Sequence, residues 1–280
     1  MGSTEHELRE EHLAGCLALS RSAQWNQSAA DWRLMLDIGQ GWGISLDDGT
    51  LAASTLVLPY VNFAWVSMVL VLPEHRRQGY AAQLLRKALA ELGNRALTPI
   101  LDATPGGREV YVLEGFRDTW GFRRFRLQET IAALQRPAQV RPLRASDWPQ
   151  LLALDAQAFG ASRERLLRAL AERLPQAALV AEEDGKLAGF LLGRDGREAQ
   201  QLGPLVARSS DAARALLAEA LAQVPPPLYI DVVDREPGIT AWLESLGFAF
   251  QRPFTRMVHG APQAPGEAGL VFCPAGPELG

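Results

Sequence analysis

The segment Arg76-Arg77-Gln78-Gly79-Tyr80-Ala81 concentrates the chemistry most readily read from this chain. A glycine free to adopt a left-handed backbone, a small residue two positions later and two preceding guanidinium groups suit an anion held by converging backbone N–H groups. Ala81, Leu84, Leu85, Ala88, Leu89 and Leu92 fall on one stripe, which predicts an amphipathic helix over Tyr80 to Leu92. The unpaired N–H groups and dipole at its start favour phosphate or pyrophosphate, although an ordinary solvated helix entry has the same composition. No Gly-Lys-Ser/Thr follows Gly79, and no Gly-x-Gly-x-x-Gly follows a strand, so neither a Walker loop nor a dinucleotide fold is indicated.

Positioning such a loop requires a strand before it. Trp65 to Leu72 is rich in β-branched and aromatic residues, and its near-continuous apolarity predicts a central strand covered on both faces. Upstream, a helix is expected over Glu5 to Ser20, a second from Ser28 to Gly39, and a hairpin around Asp47-Asp48-Gly49-Thr50. Downstream come a short strand at Leu97 to Leu101, a helix from Arg108 to Glu114, and the stop Gly115-Phe116. Asp102, at the strand's end, either faces a site or caps the following loop.

After a connector over Ile131 to Gln139, the second half repeats the plan. Helices are expected at Ser146 to Phe159, Arg163 to Arg173 and Ser210 to Ala222, with strands at Ala178 to Glu182, Leu187 to Leu192 and Leu228 to Val233. Gly247-Phe248 stands 132 positions after Gly115-Phe116 at the same point of the order, which supports two tandem copies of one plan. The Pro- and Gly-rich tail from 261 to 280 reads as loosely packed, with Leu270 to Cys273 as its one docking run.

Composition narrows the function classes. A chain of 280 residues with 48% apolar and 21% charged residues can bury a substantial core, and its net charge of −4 argues against general nucleic-acid or polybasic membrane binding. No apolar run approaches the about 18–20 residues of a membrane span, and the acidic start does not resemble a secretory signal, so a cytoplasmic protein is expected. Cys16, Cys273 and four scattered His residues show no metal-ligand spacing, so no metal is expected.

The loop closely resembles that of the GCN5-related N-acetyltransferase superfamily, whose pattern of Arg or Gln, two residues, Gly, one residue, then Gly or Ala is met by Arg76, Gly79 and Ala81. The preceding strand and Tyr111-Val112-Leu113-Glu114-Gly115-Phe116 extend the likeness, which is looser in the second half. The resemblance implies an α/β (α+β) fold of two tandem domains, 4–130 and 138–260, each a mixed, mostly antiparallel twisted sheet with a splayed central strand pair flanked by helices. It implies acetyl-coenzyme A as cosubstrate, held by Val69, Leu70 and Val71 and by Arg76, Arg77, Gln78, Gly79, Tyr80 and Ala81. It further implies a small-molecule amine as acceptor and a monomer or homodimer as the working form, with an acyl-coenzyme A sensor or a protein N-acetyltransferase as alternatives.

In that likeness Tyr111, four residues before Gly115, is the general-acid candidate, and Asp102 the candidate base, ahead of Asp31 and Glu114. Trp25, Asn26 and Trp32 occupy positions where the family shapes its acceptor pocket, with core packing equally open to the two tryptophans. Asp231, with Tyr229 and Asp234, is a candidate amine contact at the domain junction or a strand-edge residue. The second copy departs from the pattern: Ala207-Arg208-Ser209-Ser210-Asp211 lacks the glycine, and Leu243 stands where Tyr111 does. Catalysis is therefore expected in the first half alone.

Overall fold

The computed structural model describes residues 2–131, 134 and 136–280; Ala132, Ala133 and Gln135 of the expected connector lie outside the described residues. The first half runs β1 (Ser3–Glu7), α1 (Leu13–Ser22), α2 (Ala29–Ile38), β2 (Gln40–Leu46), β3 (Leu51–Pro59), β4 (Phe63–Val71), α3 (Tyr80–Asn94), β5 (Thr98–Ala103), α4 (Pro105–Leu113) and β6 (Phe116–Leu127). The second half repeats it as β7 (Val140–Pro142), α5 (Trp148–Phe159), α6 (Glu164–Arg173), β8 (Leu179–Glu183), β9 (Lys186–Arg194), β10 (Gln200–Ala207), α7 (Ser210–Gln223), β11 (Leu228–Val233), α8 (Pro237–Ser245) and β12 (Ala249–His259), then β13 (Val271–Cys273). Gly115 and Gly247 end α4 and α8 at φ 91° and 93°, so each repeat marker is a left-handed helix stop that favours glycine.

The expected helix over 5–20 is partly a strand. Ser3–Glu7 pairs antiparallel with β2, where β2 supplies edge partners that outweigh the weak local helix preference of Thr4 and His6. Elsewhere local chemistry and structure agree. Ser28 caps α2 by accepting from Asp31 N, while Asp31 Oδ2 accepts from Ser28 N at 2.7 Å, a reciprocal box that fixes the helix entry. Leu84, Leu85, Ala88 and Leu92 of α3 are buried against Val57, Val66, Leu101 and Met257.

The sheet is mixed and mostly antiparallel, with parallel pairing at β4/β5 and β10/β11. Both halves join in one 13-stranded sheet, in the order β1-β2-β3-β4-β5-β12-β6-β11-β10-β9-β8-β7, with β13 on β10. The halves exchange their last strands: β12 pairs with β5 of the first half, and β6 pairs with β11 of the second. Each exchanged strand covers an edge that would otherwise expose unpaired backbone groups.

The expected docking run of the tail pairs with β10 as β13, and the packing extends to the last ten residues, 271–280, contrary to the expectation of a loose end, while 261–270 stay half-buried or exposed. Trp65 Nε1 donates to the Pro277 carbonyl at 2.9 Å, Arg163 Nη1 donates to Gly280 O at 2.6 Å, and Arg194 pairs with Glu278. Phe272, Cys273, Ala275 and Leu279 are buried. Buried apolar and charged partners outweigh the flexibility that Pro and Gly content suggests.

Candidate active site

The cavity arises where β4 and β5 part. They pair from Phe63↔Thr98 to Trp65↔Ile100 and then diverge. Beside the divergence the β3/β4 register shifts, Met68 takes φ 51°, and Ser54 Oγ donates to the Met68 carbonyl at 2.7 Å to hold the bulge. Such a bulge bends the strand and re-aims its backbone. Val69, Leu70 and Val71 therefore present an edge not covered by β5 to a cavity of about 540 Å³.

At the end of β4, Arg76 lines the same cavity and its Nε donates to the Val71 carbonyl at 3.4 Å. Gly79 is the N-cap of α3 at φ 85°, and a side chain built there would meet nothing within 4 Å. Gln83 N reaches the Gly79 carbonyl, leaving the N–H groups of the first turn outside the helical ladder. Arg77 and Gln78 are exposed, while Tyr80 and Ala81 are half-buried at that turn. These four flank the cavity without lining it. An open left-handed glycine, free N–H groups and two guanidinium groups fit a pyrophosphate, and the uncovered β4 edge fits an extended amide-bearing arm.

Tyr111 of α4 also lines the cavity, its ring 5.9 Å from that of Phe116. Burial pushes its phenol well above the ordinary value, so the hydroxyl stays protonated and keeps a proton to donate at neutral pH. Asp102 reaches the cavity from β5, with both carboxylate oxygens accepting from Arg256 of β12 at 2.9 Å. Burial raises its pKa, against the pull of that guanidinium. Arg256 is itself held between the Trp65 and Trp120 rings, 4.4 and 4.1 Å from their centroids.

The acceptor-pocket expectations divide. Trp25 lines the cavity, and Gln27 joins it. Asn26 does not: its Nδ2 donates to the Ala199 carbonyl at 2.9 Å and its Oδ1 accepts from Glu198 N and Ala199 N, which clamps the loop before β10. Trp32 is fully buried with Nε1 on Ser20 Oγ, a core residue. Asp231 lies beneath the cavity, binding Arg124 through two 2.7 Å hydrogen bonds. Of the weaker candidates, Asp31 is locked by Arg173 and Arg194, Glu114 pairs with Arg86, Asp234 pairs with Arg123, and Tyr229 donates to Glu198.

Sequence reasoning missed Arg124, Arg252 and Phe254, which reach the cavity from the paired strands β6 and β12, and Pro277 and Glu278 of the tail. Only the strand exchange and the tail's return bring them there, and neither leaves a local pattern. Among the described residues no group of three or more His, Cys, Asp or Glu could hold a metal ion, and no helix is long and apolar enough to cross a membrane.

The second half has the same divergence. β10 and β11 pair from Gln200↔Leu228 to Leu202↔Ile230, and the β9/β10 register shifts between Leu202 and Leu205. There β13 lies against β10, Leu205 opposite Cys273 and Val206 opposite Val271. Ser209 caps α7 by accepting from Ala212 N, and Leu243 is fully buried.

Comparison with known proteins follows the same division. A family model described as "Acetyltransferase (GNAT) family" matches residues 6–111, and one described as "Acetyltransferase (GNAT) domain" matches residues 151–273. The chain is 24% identical to the uncharacterized N-acetyltransferase YitH of Bacillus subtilis, over 86% of each protein. It is 25% identical to the holothin acyltransferase of a Pseudoalteromonas species, over 92% of this chain and 87% of that one. A Pyrococcus horikoshii crystal structure, of a protein assigned as an acetyltransferase, shares the fold at a TM-score of 0.82 and 20% identity, over 100% of this chain and 96% of the other.

Proposed function

The chain belongs to the GCN5-related N-acetyltransferase superfamily as two tandem domains, and from that premise we propose direct transfer of an acetyl group from acetyl-coenzyme A to a small-molecule amine in the first half. The observation that carries this reading is the contrast between the two strand divergences. The first opens onto a cavity with Gly79 and Tyr111 beside it, whereas the second is filled by β13 and has Ser209 and Leu243 at those positions.

The proposed boundaries are 4–130, 138–260 and a tail from 261, with β6 and β12 exchanged. Val69 to Val71 would hold the cosubstrate's arm, and the Gly79 turn with Arg76 and Arg77 its phosphates. When bound, acetyl-coenzyme A supplies an acyl group activated as a thioester. Tyr111 holds a proton on its hydroxyl and offers it within the cavity, the general-acid role. Asp102, oriented by Arg256, is the candidate to take the amine's proton. Trp25, Phe254 and the tail residue Pro277 line the cavity and would border the acceptor, and a volume of about 540 Å³ favours a small molecule over a peptide. The free, buried Cys16 and Cys273 accord with a reducing, cytoplasmic setting.

The test is thiol release from acetyl-coenzyme A across an amine panel, with Gly79→Glu and Tyr111→Phe as controls. Acceptor-dependent release that Gly79→Glu abolishes and Tyr111→Phe slows is the expected result. Binding of acetyl-coenzyme A without release from any amine would turn the reading toward a sensor.

A further inference from the structure

Arg252 carries a charge that no side chain among the described residues pairs directly, although Asp231 and Glu198 act on it from a distance. On β12, Arg252, Phe254 and Arg256 alternate onto one sheet face, and their partners on β6 are Arg124, Phe122 and Trp120. Arg252 thus stands directly opposite Arg124, at the about 4.5–5.5 Å Cβ spacing where like charges on neighbouring strands destabilise the pair. At Arg124 that repulsion is offset by the bidentate Asp231 and by the Tyr229 and Phe254 rings, each 5.2 Å from its guanidinium carbon. Arg252 has no ion-pair or hydrogen-bond partner among the described residues. Burial and then Arg124 depress its pKa, as expected for a cation short of counter-charge.

The other charged groups lining the cavity on this face are each matched. Asp102 is paired with Arg256, Glu278 with Arg194, and Arg124 with Asp231. Arg76 lies at the end of β4, beside the turn assigned to phosphates. One half-buried guanidinium facing an about 540 Å³ cavity is therefore left over on the acceptor side.

Resting on the function proposed above, we infer that the acceptor is an amine that also carries a carboxylate, of the amino-acid class, and that Arg252 is the residue that selects it. The guanidinium fork matches a planar carboxylate in a two-hydrogen-bond geometry, and the carboxylate supplies Arg252 with a direct counter-charge. A neutral amine of the same shape would leave Arg252 desolvated and unpaired, which is the basis of strong rejection.

The test uses matched trios, each an amino acid, its carboxamide and its decarboxylated amine, with acetyl-coenzyme A and the full chain. Wild-type protein is expected to show kcat/KM at least ~10-fold higher for the acid than for either analogue, the minimum for a site built to pair with a group the analogues lack. Arg252→Gln should remove that preference by raising KM for the acid, with acetyl-coenzyme A affinity unchanged, and Arg252→Lys should keep part of it. Thiol release from carboxamides or decarboxylated amines at rates equal to the acids overturns this inference and leaves the acetyltransferase reading standing. So does an acid preference that survives Arg252→Gln. No release from any trio overturns both. Should Arg252→Gln fail to fold, the wild-type comparison still decides the substrate class, and Arg252→Lys decides the residue: an undiminished acid preference in that variant removes Arg252 as the selector.

Discussion

The two strand divergences of this chain begin alike and end differently. Each starts after three parallel pairs, beside a register shift in the preceding hairpin, and each frees the edge of a strand that leads into a helix. Backbone groups on a freed edge must find partners. In the second half the chain provides them itself, by laying β13 on β10. In the first half the edge at Val69 to Val71 faces a cavity, and the chain's own tail stops at its wall with Pro277 and Glu278. The geometry that makes a ligand slot is thus common to both copies, and what occupies the slot separates them.

Substitutions at matched positions sharpen or break this contrast. The largest effect is expected at Gly79: Gly79→Glu should weaken acetyl-coenzyme A at least ~100-fold by calorimetry, since it strains a left-handed position and sets a carboxylate against phosphates. Ser209→Glu at the corresponding cap should change that affinity little, and a comparable loss there would mean the second half binds the cosubstrate.

Tyr111→Phe is expected to lower kcat by about 10²–10³ with unchanged acetyl-coenzyme A affinity, in the range of a lost general acid. Its counterpart Leu243→Ala should instead lower stability by about 2–5 kcal/mol in denaturant titration and leave transfer intact. Phe272→Ala, which loosens the buried filler of the second slot, should cost about 3–5 kcal/mol of stability while binding stays at one acetyl-coenzyme A per chain. A second equivalent in that variant would show the filled slot to be a latent site.

A smaller effect concerns the junction of the halves. Burial raises the Asp31 pKa, but Arg194 and Arg173 outweigh it and hold the carboxyl below its ordinary 3.8. The stability it contributes is therefore present above that value and is lost as pH falls through the depressed folded value. Asp31→Asn should flatten this acid limb in thermal melts, and an unchanged limb would remove Asp31 from the junction's ion pairs.

Local chemistry made much of the first copy legible. A glycine that needs positive φ, an apolar strand before it and an amphipathic stripe after it are short-range signals, and Gly79, β4 and α3 stand where those signals put them. The absence of glycine near Ser209 and of tyrosine at Leu243 was equally readable. Trp32 and Asn26 were not, because the same residue types serve a core, a loop clamp or a pocket, and only the facing element decides which.

By itself, then, the sequence determined the repeated order of elements and the glycine-led helix start of one loop, both of which rest on residues close along the chain. The tertiary structure alone decided that β6 and β12 change places, that the tail fills one slot and borders the other, and that Arg252 stands opposite Arg124 on the strands that line the cavity. The reason is physical: strand pairing and register are contacts between distant residues, and a shift of one residue in register would turn each of these side chains to the opposite face.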